Sequence, residues 1–371
     1  PGFITQTTVF TDKLGTSFGF IILCSMVLDI VVQLNIWRVI SVSGLRAQDL
    51  ANEVYPGAGF VLAFLMVGGG FAFNIGNLAG AGLGLEVMLG IDVWKGVILT
   101  AIISIFIFWY RESGRVLDIF AKVLGVVMIL LTGYVAVTSD PPIFQAIKHS
   151  FAPQVIDTGA IIVLVGGTVG GYISFAGAHR LLDGRITGIG HVRQVTVSSV
   201  RAIVLASLMR ILLFLAALGV VFSGGSLDPS NPPASVFQIA AGEVGYRIFG
   251  VVLWCAAITS VVGAAYTSVS FLRTLHSSFE VNYRWIVTFF IVFSAIVFLI
   301  VGRPVRVLVF VGAVNGFILP FSMAIILLAA RNRRLMGQYK HPLWMQITGW
   351  AVLGVLTFVS IKTILAGVAL F

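Results

Sequence analysis

The sequence predicts an all-α membrane protein of about eleven transmembrane helices, the first truncated, arranged as a five-plus-five inverted repeat. Three observations lead there. Hydrophobic residues are 58% of the 371 and charged residues only 10%, against about 25% charged in a soluble domain, and the mean hydropathy is +1.06. The apolar residues gather in runs close to the roughly 20 residues that cross a bilayer as a helix. Two of these runs, five spans apart, carry residues that interrupt a helix near mid-membrane, as the two halves of many transporters do.

The runs follow in order. A short one, Phe3–Phe10, opens the chain, which starts at Pro1 without a Met; a preceding segment is therefore expected. Phe18–Ile40, Gly57–Gly90, Val93–Tyr110 and Val116–Val137 come next, and Gly57–Gly90 is long enough for its end to lie at the interface. Gly159–His179, Ile203–Phe222, Ile248–Phe271, Trp285–Val301 and Val305–Ala330 form the second set, with Ile347–Phe371 as an extra helix. The chain thus reads as a single transmembrane domain, 1–371, with a first repeat at 1–139, a second at 155–330 and helix 11 at 343–371. The Pro/Ser/Gly segment "SGGSLDPSNPPASVFQ" reads as a loop.

The net charge of +9 follows topology rather than nucleic-acid binding. Arginines crowd alternate loops (Arg38, Arg46, Arg180, Arg185, Arg193, Arg331, Arg333, Arg334), while the opposite loops carry Lys13, Lys95, Lys148, Arg247, Arg303 and Arg306. The crowded side is cytoplasmic by the positive-inside rule, and so is the N-terminus. A multi-pass protein of a bacterial inner membrane is expected, with the bilayer and a small molecule or ion as its partners. Cys24 and Cys255 lie in apolar runs without metal spacing. Walker, GxSxG, HExxH and CxxC motifs are all missing from the sequence, so an enzyme is not expected.

The sixth run contains "VGGTVGGYISFAGAHR". Glycine costs a helix interior about 1 kcal/mol, and open backbone inside a membrane is tolerated only beside protein or a cavity. Gly166, Gly167, Gly170 and Gly171 are clustered, which points to a broken helix; Pro1-Gly2 gives the matching break at the start. Gly76, Gly80 and Gly84 recur every fourth residue, which points instead to close helix packing.

The order of motifs resembles the Nramp family of proton-coupled divalent-metal transporters, which share the leucine-transporter fold. "SFGFIILCSMVLDIVVQL" with "DLANEVYPG" is similar to the family's second span and exit, and "LEVMLGIDVWKGVILT" to its third-to-fourth junction. "LPFSMAIILLAARNRRLMG" resembles the tenth span and its basic exit. The resemblance implies a leucine-transporter-type fold and metal transport, yet the metal-ligand positions differ. Pro1-Gly2-Phe3 stands where the family has Pro-Gly-Asn, and Gly170 and Tyr172 replace its Met and His. Asn74 and Asn77 replace the acids tied to proton movement.

Transition metals need carboxylate, imidazole or sulfur donors, and no metal ligand is assigned. Half-helix N-termini with glycines favour an anion. The expected substrate is therefore a small organic acid or zwitterion, met by Gly2, Thr5, Thr7, Asn74, Asn77, Gly170, Gly171, Tyr172, Ser174 and Asn315. A divalent ion (Mn, Fe or Mg) is the alternative, and a non-transporting receptor the second. Buried charges are costly and functional, so Asp29, Asp118, His179 and Arg210 are read as a coupling network, with Asp29 partnering Arg210 and Asp118 pairing with Lys122. The coupling ion is H⁺, or Na⁺ held by unwound carbonyls with Thr267 and Ser268; no other cofactor is expected.

Overall fold

A computed structural model describes the backbone of residues 1–110, 113–273 and 276–365, and their side chains except those of 113–122. Asp118 and Lys122 therefore lie outside the described residues. The described chain is helical throughout its ordered elements: α1 (Gly2–Leu14), α2 (Phe18–Ser43), α3 (Ala47–Val54), α4 (Ala58–Leu89), α5 (Val93–Trp109), α6 (Ser113–Thr138), α7 (Ile143–Phe151), α8 (Thr158–Val169), α9 (Gly171–Asp183), α10 (Val192–Phe222), α11 (Pro232–Ser270), α12 (Ser277–Val281), α13 (Tyr283–Val301), α14 (Pro304–Arg331), α15 (Arg333–Met336) and α16 (Leu343–Leu365).

Among the described residues eight helical stretches are long and apolar enough to cross a membrane, or nine when the pair Val123–Thr138 and Ile143–Phe151, bent by 106°, is taken as one. This is fewer than the eleven expected, for local reasons. α1 has 13 residues and is separated from α2 only by a short 3-10 turn, Gly15–Ser17, so Gly2–Ser43 counts as one candidate span rather than two. α5 holds 17 residues, about 26 Å at 1.5 Å per residue. The loop expected before the eighth span is also shorter. Asn231 ends it, Pro232 and Pro233 start α11 where a missing N–H costs nothing, and the helix kinks at Gly242, whose φ is 62°.

Polar contacts at the helix ends place the elements across the bundle. Gly15, at φ 54°, turns the chain between α1 and α2. Beside that turn, Lys13 pairs with Asp157 at 2.9 Å and the Gln154 N–H donates to Ser17 Oγ at 3.1 Å. At the far end of α2 the Gly188 N–H donates to the Ser41 carbonyl at 2.8 Å, and Arg46 pairs with Asp183 at 2.6 Å. α2 and the α8–α9 pair therefore span the same thickness in the same direction. α14 ends on the same face as α2, where His341 Nε2 meets Asn35 Oδ1 at 2.8 Å, so Arg303 at its start lies on the Lys13 face. Phe18, Phe175, Phe237, Phe249 and Phe271 are fully enclosed in the core between them, which also buries polar and charged side chains such as Asp29, Asn74, His179 and Arg210.

Candidate functional site

The sixth span breaks at Gly170. α8 is capped at its start by Asp157, whose Oδ1 accepts from the Ala160 N–H at 3.0 Å. It ends at Val169; Gly170 takes φ −46°, ψ 156°, and α9 begins at Gly171. The φ is open to any residue, so glycine is there for space. A Cβ on Gly170 would lie 2.6 Å from Asn315 Cβ on α14, and one on Gly171 2.5 Å from Ile318. At Gly166 it would fall on the Gly312 carbonyl oxygen, and at Gly167 on Gln6 Oε1. Gly170, expected among the substrate-binding residues, has no open space beside it: the Gly166 carbonyl and Asn315 of α14 occupy that volume.

Around the break the structure gathers Gly2, Gly170, Gly171 and Asn315. Gln6 joins them: its Nε2 donates to the Leu308 carbonyl at 2.8 Å, and its Oε1 has no partner. Asn315 Nδ2 donates to the Gly69 and Val311 carbonyls at 3.2 and 3.1 Å, leaving Oδ1 without one. Thr5 Oγ1 is buried and unpartnered, whereas Thr7 donates to the Phe3 carbonyl of its own helix at 2.8 Å. Ser174 is a strap across the break, donating to the Val169 carbonyl at 2.7 Å.

The asparagines of α4 point elsewhere. Asn74 donates to Ser294 Oγ on α13 at 3.2 Å, and α13 packs on α4, α5 and α11 rather than on the broken helix. Asn77 is buried with Nδ2 unpartnered. Thr267 and Ser268 both donate to carbonyls four residues back, Gly263 and Ala264, at 2.7 Å, as hydroxyls in membrane helices commonly do.

A cavity of about 280 Å³ reaches the first turn of α9 from the basic face. Gln33 and Trp37 of α2, Tyr172 and Arg180 of α9, and Ser260 and Thr267 of α11 are among its lining residues; Arg180 is the one charged side chain in that lining. Tyr172 presents its ring, while its hydroxyl is committed to the Ala264 carbonyl at 3.0 Å. Two glycines make the space. A Cβ on Gly263 would lie 2.5 Å from Arg180 Nη2, and one on Gly177 2.6 Å from the Trp37 ring. The Trp37 Nε1–H donates to the Ser174 carbonyl at 2.9 Å, tying α2 to α9. Sequence reasoning passed over Arg180 as an interfacial charge, and nothing in the sequence pairs it with Gly263, 83 positions later.

Arg210 and Asp29 are both enclosed, 2% and 1% exposed, and they meet through Ser25. Arg210 Nη1 donates to Ser25 Oγ at 3.0 Å, and Ser25 donates to Asp29 Oδ2 at 3.3 Å. Arg210 Nη2 also donates to Thr168 Oγ1 at 2.8 Å, two residues before the break, and its guanidinium lies 4.3 Å over the Phe3 ring. Four helices, α1, α2, α8 and α10, thus converge on one cation. Asp29 Oδ1 and Arg210 Nε remain without partners. His179 stands apart from this network. Its Nε2 accepts from the Ala47 N–H at 3.0 Å and its Nδ1 faces Ser270 Oγ at 3.3 Å. Ser270 spends its own proton on the Thr267 carbonyl, so this pattern assigns the Nδ1–H tautomer and makes His179 a pin between α3, α9 and α11.

Among the described residues no group of three His, Cys, Asp or Glu side chains could hold a metal ion. Relatives in sequence agree with the membrane architecture. A Bacillus subtilis (strain 168) protein described as the uncharacterized membrane protein YcsG is 53% identical over 98% of this chain and 90% of its own length. In structure, a manganese transporter of Eremococcus coleocola, in complex with an aromatic bis-isothiourea substituted compound, superposes with TM-score 0.76 at 16% identity, covering 98% of this chain and 83% of that one. MhsT in complex with L-phenylalanine superposes with TM-score 0.61 at 16% identity, covering 97% and 98%. At these identities the two structures establish the leucine-transporter-type fold alone. Residues 1–366 match the family described as natural resistance-associated macrophage protein-like, and the chain, a multi-pass integral membrane protein, belongs to that Nramp family.

Proposed function

We propose that this protein is a secondary active transporter that works by alternating access and carries a small organic anion. The observation that carries the reading is the cavity along α9: it has one guanidinium, Arg180, no carboxylate, and neutral hydrogen-bonding or aromatic walls. An anion meets a charge of the right sign there. An ammonium group would find no counter-charge in this lining, so an acid is favoured over the zwitterion also expected from sequence. The break and its neighbours would supply the moving parts, with 1–139 and 155–330 as the two repeats, 343–371 outside them, and the basic face with the N-terminus in the cytoplasm.

Coupling is assigned to H⁺ rather than Na⁺, with Asp29 as the acceptor. Its free oxygen lies in a buried network that touches Thr168 at the break, and titratable groups inside a membrane commonly mark proton routes.

A divalent cation is the second reading. Gln6 Oε1, Asn315 Oδ1 and Thr5 Oγ1 are unpartnered buried oxygens, a hard neutral set that suits a partly hydrated Mg²⁺ better than a soft metal. The structural likeness to a manganese transporter also favours it.

Uptake into proteoliposomes separates the two. Monocarboxylates, amino acids, Mn²⁺ and Mg²⁺ are compared in wild type, Arg180→Gln and Gln6→Ala. A saturable monocarboxylate flux whose KM rises about tenfold in Arg180→Gln, the loss expected for one charged hydrogen bond, supports the proposal. Saturable metal uptake lost in Gln6→Ala, with no acid flux, overturns it.

A further inference from the structure

On the Lys13 face, away from the proposed cargo cavity, α4, α13 and α14 enclose a second hollow of about 360 Å³. Ala72 and Ile75 of α4, Val297 and Val301 of α13, and Val307 and Val311 of α14 contribute to its apolar wall, and its two charged lining residues are Arg303 and Arg306. Gly302, at φ 63°, ends α13, Arg303 precedes α14, and Arg306 lies within its first turn. Arg303, at the N-cap, and Arg306, in the first turn, both line the hollow.

These cations differ from their neighbours on that face. Lys13 is paired with Asp157, Lys95 with Asp92 and Arg247 with Glu243. Arg303 and Arg306 have no ion pair among the described residues, and no carboxylate lines the hollow. Lys148 is also unpaired but sits on α7, which packs on α2. An apolar slot between lipid-facing helices with two uncompensated guanidiniums asks for a ligand that is hydrocarbon at one end and anionic at the other. Guanidinium binds phosphate through paired N–H groups, and basic pockets between transmembrane helices hold acidic head groups. An organic acid small enough for the cargo cavity would leave the valine walls unfilled.

We propose that this hollow is a binding site for an anionic glycerophospholipid, with an acyl chain against the α4–α13–α14 walls and the phosphate held by Arg303 and Arg306. The site does not depend on what the protein carries.

The test uses the full chain in neutral detergent, with thermal unfolding followed as lipid is added. Phosphatidylglycerol is compared with phosphatidylcholine and with inorganic phosphate, in wild type, in Arg303→Gln/Arg306→Gln and in Ala72→Phe, which fills the slot. Phosphatidylglycerol is expected to raise the wild-type unfolding temperature by about 2–4 °C or more. The arginine variant should lose most of that shift while unfolding at the wild-type temperature in phosphatidylcholine. Ala72→Phe should lose it too. An equal rise with phosphatidylcholine, a rise reproduced by inorganic phosphate alone, or a full phosphatidylglycerol shift in both variants would each overturn the assignment.

Discussion

Two glycine-rich helices, α4 and α8, pack against α14, and only one of them breaks. In α4, Gly76 faces Val311, Gly80 receives the Pro1 ring and Gly84 lies against the Trp254 backbone, yet the helix runs unbroken for 32 residues. In α8, Gly166 and Gly167 serve the same purpose against α14 and Gln6; the break falls one turn later, at Gly170. The number of glycines is therefore not what interrupts a helix. The difference is in the polar groups beside them. α8 has a carboxylate cap at its start, a hydroxyl strap across its end, and a guanidinium bound to Thr168. α4 has at its start only the neutral amide of Asn52, whose Oδ1 accepts from the Gly59 N–H at 2.9 Å. Close packing needs only small residues, whereas an opened backbone needs partners for what it exposes.

The largest test of this contrast is Arg210→Met, which leaves Asp29 buried without its bridged cation. Breaking a buried pair in this way costs about 3–5 kcal/mol, and Asp29→Asn/Arg210→Met should recover most of it. Unfolding curves in detergent report both, and an unaltered Arg210→Met would mean that charge plays no part in holding α8. A smaller effect is expected from the glycines themselves. Gly166→Ala drives a methyl into the α14 backbone and should cost about 1–3 kcal/mol. Gly76→Ala meets Val311 Cγ2 at 3.3 Å, a contact offset by about 0.5–1 kcal/mol of helix preference, and should leave stability nearly unchanged. Equal losses would erase the distinction between the two helices.

The smallest expected effect is at the α8 cap. Asp157→Ala should cost about 1 kcal/mol at neutral pH. Burial alone would push the Asp157 carboxyl up, but the Lys13 ammonium and the Ala160 and Gly159 N–H groups hold it below the usual carboxylate range. The folded state then binds fewer protons than the unfolded chain. The stabilisation is complete above the unfolded value of about 3.9 and fades as pH falls through the lower folded value. Wild type and Asp157→Ala should accordingly converge in acid; a constant gap from pH 7 to 3 would show that capping by the charge is not the cause.

Much of this was legible in the sequence because hydropathy and helix-breaking residues are local signals. The sixth-span break, the Asp29–Arg210 association and the small-residue face of α4 are of that kind. What could not be read depends on contacts across the bundle. Tyr172 was expected over a substrate, and its hydroxyl instead reaches a carbonyl on α11. Asn74 turns to α13 because Ser294, 220 residues away, offers an acceptor there. Arg180 lines a cavity beside Gly263 on α11, where a Cβ would crowd its guanidinium. No periodicity within one helix encodes such pairings.

The strap at Ser174 implies a division of mechanical allegiance. The first half-helix, α8, packs backbone to backbone on α14 at Gly312 and Gly316, while the second, α9, is moored to α11 by Tyr172 and to α2 by Trp37. One serine hydroxyl and one glycine carbonyl carry the hydrogen bonds that lace the seam. A tilt of either rigid block would therefore concentrate its shear at Gly170, and the first bonds lost would be those least expensive to remake.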